Sequence, residues 1–191
     1  MKNKHFTGRF QQRFAFICLL GLLSAALTGC QTRNSIFPNL DQEGLHSGAN
    51  WAVLPFISHT NIPEDASTQL ERIIMVQLPS MGINKPTIYR APETNTTLDY
   101  LSDIYEAERA RLWAINNHIS HSISGEILEW KYDEQNRFST MLSLKVTDIS
   151  SGEVVWDING LGEGRPGESA YEVSRKLIAD LLAAMPFQEA K

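Results

Sequence analysis

Cysteine is almost missing from this 191-residue chain: Cys18 and Cys30 are the only two, and none follows position 30. A disulfide or a cysteine metal site within the part that folds is thereby excluded. No acidic residue precedes Asp41, although Lys2, Lys4, Arg9 and Arg13 crowd the amino terminus. No apolar run reaches the roughly 20 residues that a permanent membrane-crossing helix needs, since the longest, residues 14–27, is 14 residues long. An excess of basic charge is also lacking, with 17 basic against 22 acidic residues, which argues against nucleic acid as a partner. The sequence has no Gly-Lys-Ser/Thr phosphate loop, no Gly-x-Ser-x-Gly elbow and no His-Glu-x-x-His pair. Its carboxylates are scattered, with no two set apart as acid and base. A hydrolase would need such a constellation, so the chain is not expected to be an enzyme.

What is present begins with a basic segment, a short apolar run and then Leu27-Thr28-Gly29-Cys30. That layout is a secretion signal, and the tetrapeptide resembles the lipobox of bacterial lipoproteins. The expectation is cleavage after residue 29, with diacylglycerol and an N-acyl chain of palmitate type on Cys30 and no other cofactor. Two or three acyl chains anchor firmly, where one holds only marginally. Gln31 after the cysteine points, by the sorting rules of such lipoproteins, to the outer membrane, on its periplasmic face. Loss of residues 1–29 removes four basic residues and no acidic one, leaving 13 against 22 and a formal charge of −9. An acidic surface of this size keeps a protein soluble and leaves a cationic ligand open.

Residues 30–49 are rich in Asn, Ser, Gly and Gln without sustained periodicity, and read as a lipidated flexible tether. A periplasmic domain is expected over residues 50–191. Residues 52–57 form an apolar run of strand length. Ala66, Leu70, Ile73, Ile74 and Leu78 then recur at helical spacing until Pro79 and Gly82. A short strand around Thr87, Ile88 and Tyr89 comes next. A helix follows over residues 97–116, with Leu98, Leu101, Tyr105, Leu112 and Ile115 on one side. In residues 123–132, Ile123, Gly125 and Ile127 fall on one strand face and Leu128, Trp130 and Tyr132 on the other. Phe138, Leu142, Leu144 and Val146 alternate with polar residues, then Asp148 to Glu153 supplies turn chemistry before Val154, Trp156 and Ile158 resume the alternation. Residues 160–167 read as a glycine-rich break, and Ala170, Val173, Leu177, Leu181 and Met185 mark a last helix. The fold class is α/β of the mixed α+β kind, a single mixed sheet with helices packed on it in the order β-α-β-α-β-β-β-α.

Three segments carry a family resemblance: Trp51-Ala52-Val53-Leu54-Pro55-Phe56, then Gly125-Glu126-Ile127-Leu128-Glu129-Trp130-Lys131-Tyr132, then Leu142 through Asp148-Ile149-Ser150-Ser151-Gly152-Glu153-Val154-Val155-Trp156. Together they resemble the PelC-like outer-membrane lipoproteins of Pel exopolysaccharide export, a biofilm function. The last segment is shared with the broader superfamily of the curli secretion protein CsgG and the synthase activator LpoB. The resemblance implies a homo-oligomeric ring beneath an outer-membrane export channel protein, with an acidic face that guides a cationic polysaccharide. Candidate polymer-guiding acids are Glu64, Asp65, Asp133, Glu134, Glu163 and Glu168, chosen as loop or helix-end carboxylates. The alternative implied by the superfamily is a lipoprotein activator of a peptidoglycan synthase.

Other chemistry-bearing residues have blander readings. His118 and His121 are three apart and would point to opposite faces of an incoming strand, which is poor geometry for a shared metal. Gly160, Gly162 and Gly164 lack the remainder of any nucleotide fingerprint and read as a turn or an oligomer contact. Trp130 and Trp156 sit at core-compatible phase, where packing is the default over a sugar platform.

Overall fold

The chain forms the elements β1 (Arg33–Pro38), β2 (Leu45–His46), β3 (Trp51–Ser58), α1 (Ala66–Gln77), β4 (Thr87–Ile88), α2 (Asp99–Asn116), β5 (His121–Tyr132), β6 (Arg137–Asp148), β7 (Val154–Pro166), α3 (Ala170–Ala183) and β8 (Phe187–Gln188), with alternation marking the long strands and helical spacing the three helices. They are seen in a computed structural model that describes residues 33–38, 45–91 and 99–188. The signal segment and Cys30 lie outside the described residues. Six strands form one mixed sheet in the order β1-β7-β6-β5-β3-β4, and β2 pairs with β8 apart from it. Strands β5, β6, β7 and β1 run antiparallel in turn, whereas β3 lies parallel to both β5 and β4. The expected class, a mixed sheet with three helices packed on it, is what forms.

The larger core lies on one face of the sheet. Leu142, Leu144 and Val146 of β6, Trp156 and Ile158 of β7 and Ile123 and Ile127 of β5 meet Leu70, Ile73 and Ile74 of α1 and Leu177, Ile178 and Leu181 of α3. The helix start at α3 is specified locally by a capping box, in which Glu172 N–H donates to Ser169 Oγ and Ser169 N–H donates to Glu172 Oε2. A smaller cluster on the other face joins Ala52 and Leu54 of β3 to Tyr89, Ala110, Ala114 and Ile149, with Trp113 against it.

Four details differ from the sequence reading. Part of the stretch expected as tether is ordered structure. Arg33–Pro38 is an edge strand on β7, and Leu45–His46 pairs with Phe187–Gln188. The glycine-rich break is no break. β7 runs on to Pro166, and a Cβ on Gly162 would lie 3.2 Å from Leu177 Cβ, while one on Gly164 would lie 2.6 Å from Val173 Cγ2. These glycines let α3 lie close against the strand.

A register shift between Ile127 and Glu129 inserts one residue into β5. It brings Trp130 and Tyr132 onto the same face as Ile127, where both rings pack on Phe138 at 4.8 and 5.1 Å. Of the residues expected on the second face, Trp130 and Tyr132 thus join the first, while Leu128 at the bulge is exposed. Finally, α2 turns Ala110 and Ala114 to the sheet and leaves Tyr105, Leu112 and Ile115 exposed. Small residues permit the close approach over β3, and the larger apolar stripe faces away. Leu98 lies outside the described residues.

One carboxylate is buried in this frame. Glu71 of α1 has its pKa raised to about 7 by loss of hydration, a shift that a backbone hydrogen bond at Phe56 and the charges of Arg90 and Arg72 only partly offset. The folded chain holds this proton across a pH range in which the unfolded chain has released it. The associated stability is complete below about pH 4.5, falls as pH rises through about 7, and is then constant.

Two stability measurements follow from this packing. Leu144→Ala should cost about 2 to 5 kcal/mol in denaturant unfolding, whereas Lys145→Ala, on the opposite face, should cost less than about 1 kcal/mol. Equal losses would contradict the strand phase. Glu71→Gln should flatten the decline of stability with pH and raise stability above pH 7 by up to about 3 kcal/mol. A variant that stays as pH-sensitive as the parent would place the titrating group elsewhere.

Candidate functional site

Strand registers decide which loops become neighbours. Tyr132 stands opposite Phe138, Ser139 opposite Glu163 and Arg137 opposite Pro166, so the β5–β6 turn and the end of β7 share one end of the sheet. Gly167 N–H donates to the Asn136 carbonyl across that end, at 3.5 Å. β3 runs parallel to β5, with Ser58 opposite Ile127, so its exit toward α1 lies at the same end. Glu64, Asp65, Asp133, Glu134, Glu163 and Glu168 therefore all gather there, on four separate connections or strand ends. Of the six, Glu168 is half-buried and the other five are exposed.

Three of the six already hold local structure. Asp65 is the N-cap position of α1 and accepts a hydrogen bond from the Gln69 side chain, and its charge favours the helix start. Asp133 accepts from the backbone N–H of Gln135 and Arg137, both at 2.9 Å, and pairs with Arg137 Nε at 2.7 Å. The backbone hydrogen bond from Arg137, first among these contacts, holds its carboxyl below the usual range. Glu168 accepts from Arg165 N–H at 3.1 Å and pairs with Lys176. Glu64 and Glu134 have no hydrogen-bond or ion-pair partner among the described residues, and Glu163 is exposed on β7 opposite Arg33. These three are the carboxylates whose position no turn or cap explains.

The opposite end of the sheet accounts for the shared Asp-x-x-Ser-Gly-Glu-Val-x-Trp segment. Asp148 Oδ1 accepts from Ser150 N–H at 2.8 Å, Ser150 Oγ at 2.6 Å and Ser151 N–H at 3.0 Å, while Gly152 takes a φ of +76°. Few residues other than glycine adopt that conformation without strain. Trp156 ends the segment in the main core at 2% exposure. The motif is thus a turn and a core anchor, in line with the turn chemistry and the core-compatible phase of Trp156 read from the sequence. Trp130 is likewise packed, edge-on against Phe138.

Histidine geometry also differs from expectation. His118 occupies the turn after α2 with a φ of +55° and is not on the strand. His121, the first residue of β5, stacks on Trp51 with ring centroids 4.9 Å apart, and its Nδ1 is buried without a hydrogen-bond partner. Loss of hydration lowers its pKa, against the opposing pull of Asp148. Among the described residues no three His, Cys, Asp or Glu side chains come together as metal ligands would. Among the same residues no helix is long and apolar enough to cross a membrane.

No protein-family model and no curated relative matches the sequence. Solved structures do. The PelC dodecamer from Paraburkholderia phytofirmans superposes with a TM-score of 0.66 at 23% identity, covering 82% of this chain and 100% of that one. A single-substitution variant of the same dodecamer in a second crystal form gives 0.65 at 22% identity, over 83% and 100% of the two chains. Lipoprotein GNA1162 from Neisseria meningitidis gives 0.49 at 13% identity, over 71% and 96%. In fold, the chain is PelC-like.

Proposed function

We propose that the chain is an outer-membrane lipoprotein that assembles into a periplasmic ring and assists export of a cationic, Pel-type exopolysaccharide through an outer-membrane channel. The observation that carries this reading is the pairing of a PelC-like fold with six carboxylates collected at one end of the sheet. One copy with a formal charge of −9 after signal loss attracts weakly, because screening acts over about 8 Å at physiological salt. Several copies that turn the same end toward a common opening concentrate the field there. Glu64, Glu134 and Glu163 are the acids proposed to meet the polymer, since Asp65, Asp133 and Glu168 are engaged in local bonds.

Edge strand β1 bears on how the domain would be held. Arg33 stands opposite Glu163, at the acidic end, and only three residue steps separate it from Cys30. Those steps span at most about 11 Å when fully extended. A lipid on Cys30 would keep the acidic end beside the membrane, toward a channel embedded in it. The same short reach disfavours the activator reading, in which the domain must extend from the outer membrane to a synthase in the inner one. With β1 in the sheet, only residues 30–32 stand between the expected cleavage site and the first strand.

The test is binding of a partly de-acetylated aminosugar polymer to the lipidated, detergent-extracted protein, beside its fully acetylated counterpart, from low to high salt. The expected result is a preference for the cationic polymer that fades with salt and falls several-fold in a Glu64→Gln, Glu134→Gln, Glu163→Gln variant. Equal affinity for the two polymers would overturn the reading. For the anchor, Cys30→Ala should abolish fractionation with the outer membrane. A normally processed variant that stays membrane-bound would refute the lipid attachment.

A further inference from the structure

Two apolar patches on opposite sides of the sheet have no cover among the described residues. The first is the outer stripe of α2, where Ile104, Tyr105, Leu112 and Ile115 are 47, 67, 48 and 42% exposed. Positions 104, 108, 112 and 115 follow one helix face at the i, i+4, i+8, i+11 spacing, and Tyr105 borders it, which makes a continuous stripe about 100° wide. Glu108 stands within that stripe, exposed, and is bound to Arg111 of its own helix at 2.8 Å. The second patch is a groove of about 690 Å³ between α1 and α3, lined by Arg72, Ile73, Val76, Tyr171, Arg175 and Ala179. Val76 is 79% exposed and Tyr171 50%. Neither Arg72 nor Arg175 has a hydrogen-bond or ion-pair partner among the described residues.

These patches match each other in shape and charge. One is a convex helix stripe with a carboxylate at its middle, and the other is a concave apolar trough with two guanidinium groups on its walls. They cannot meet within one copy, since α2 packs on the opposite side of the sheet from α1 and α3. A contact between unlike patches on opposite faces repeats head to tail, and a repeat that closes is a ring. We propose that the outer face of α2 docks into the α1–α3 groove of a second copy of this chain, with Glu108 facing Arg72 and Arg175. This rests on the ring reading above and names the surface that builds it. Exposed tyrosines at both faces are of the residue kind that anchors such contacts, and the flanking charges set the register.

Thiol cross-linking in the lipidated chain tests this directly, because the signal carries Cys18 away and lipid occupies Cys30, so introduced cysteines are the only free thiols. A Leu112→Cys, Val76→Cys double variant treated with a short bismaleimide in outer-membrane fractions should give a ladder of covalent dimers, trimers and larger species. Each single variant should give none. Glu108→Arg should lower the assembled fraction at least about tenfold in sedimentation of detergent extracts, and adding Arg175→Glu should restore most of it. A parent-sized oligomer with no ladder would overturn this interface while the ring reading stands. Dimers from Leu112→Cys alone would show a symmetric α2 contact and overturn the head-to-tail assignment. A parent chain that sediments only as a monomer would overturn the ring reading and this inference with it.

Discussion

The register of β6 against β7 is the constraint from which most of the structure follows. It is set at the turn, where Asp148 collects three hydrogen bonds and Gly152 supplies a left-handed backbone that other residues adopt only with strain. With that register, Leu144 stands opposite Ile158 and Val146 opposite Trp156, so a single apolar face is presented to α1 and α3. A slip of one residue would turn that face to solvent. The same register carries Gly162 and Gly164 under α3, where side chains would collide with Leu177 and Val173. It also fixes which loops share an end.

That consequence links packing to function. The turn that begins β6 and the strand end that finishes β7 meet because the hairpin is long, with one register from Ser139 to Val146 and a shift at each end, and the parallel β3 adds the start of α1 to the same end. The acids there are not a motif in the linear chain. They are far apart in sequence and become one surface only through strand pairing. The two sides of the sheet are also unequal. One is closed by a large core under two helices, while α2 covers the other through Ala110, Trp113 and Ala114 and keeps Ile104, Tyr105, Leu112 and Ile115 outside. A chain folded in this way is complete as a core yet leaves apolar surface for association.

Much of this was legible in the sequence. Strand β3, helix α1, the β6–β7 hairpin and helix α3 follow from period and turn chemistry, because each has one face buried by the core and the other in solvent. Four features escaped for physical reasons. A bulge such as that after Ile127 changes strand phase without changing composition. Edge strand β1, Arg-Asn-Ser-Ile-Phe-Pro, shows no alternation of apolar and polar residues from which a strand could be read. Glycines at 162 and 164 look like a loop until the helix that needs their bare backbone is known to lie across them. In α2 the periodicity reveals an apolar stripe, but the stripe itself does not say whether the same chain or another covers it. The candidate acids read from the sequence as loop and helix-end residues. Their common end was not readable, since it depends on pairings between strands distant in sequence.

Under the proposed function, the acidic end of the sheet, where Arg33 stands opposite Glu163, faces the membrane. Quenching by brominated lipids measures it. An environment-sensitive fluorophore on Glu134→Cys, in the lipidated protein reconstituted into vesicles, reports the acidic end, and one on Ser151→Cys reports the opposite end. The account predicts clearly stronger quenching of the probe at position 134. Stronger quenching at position 151 would contradict it.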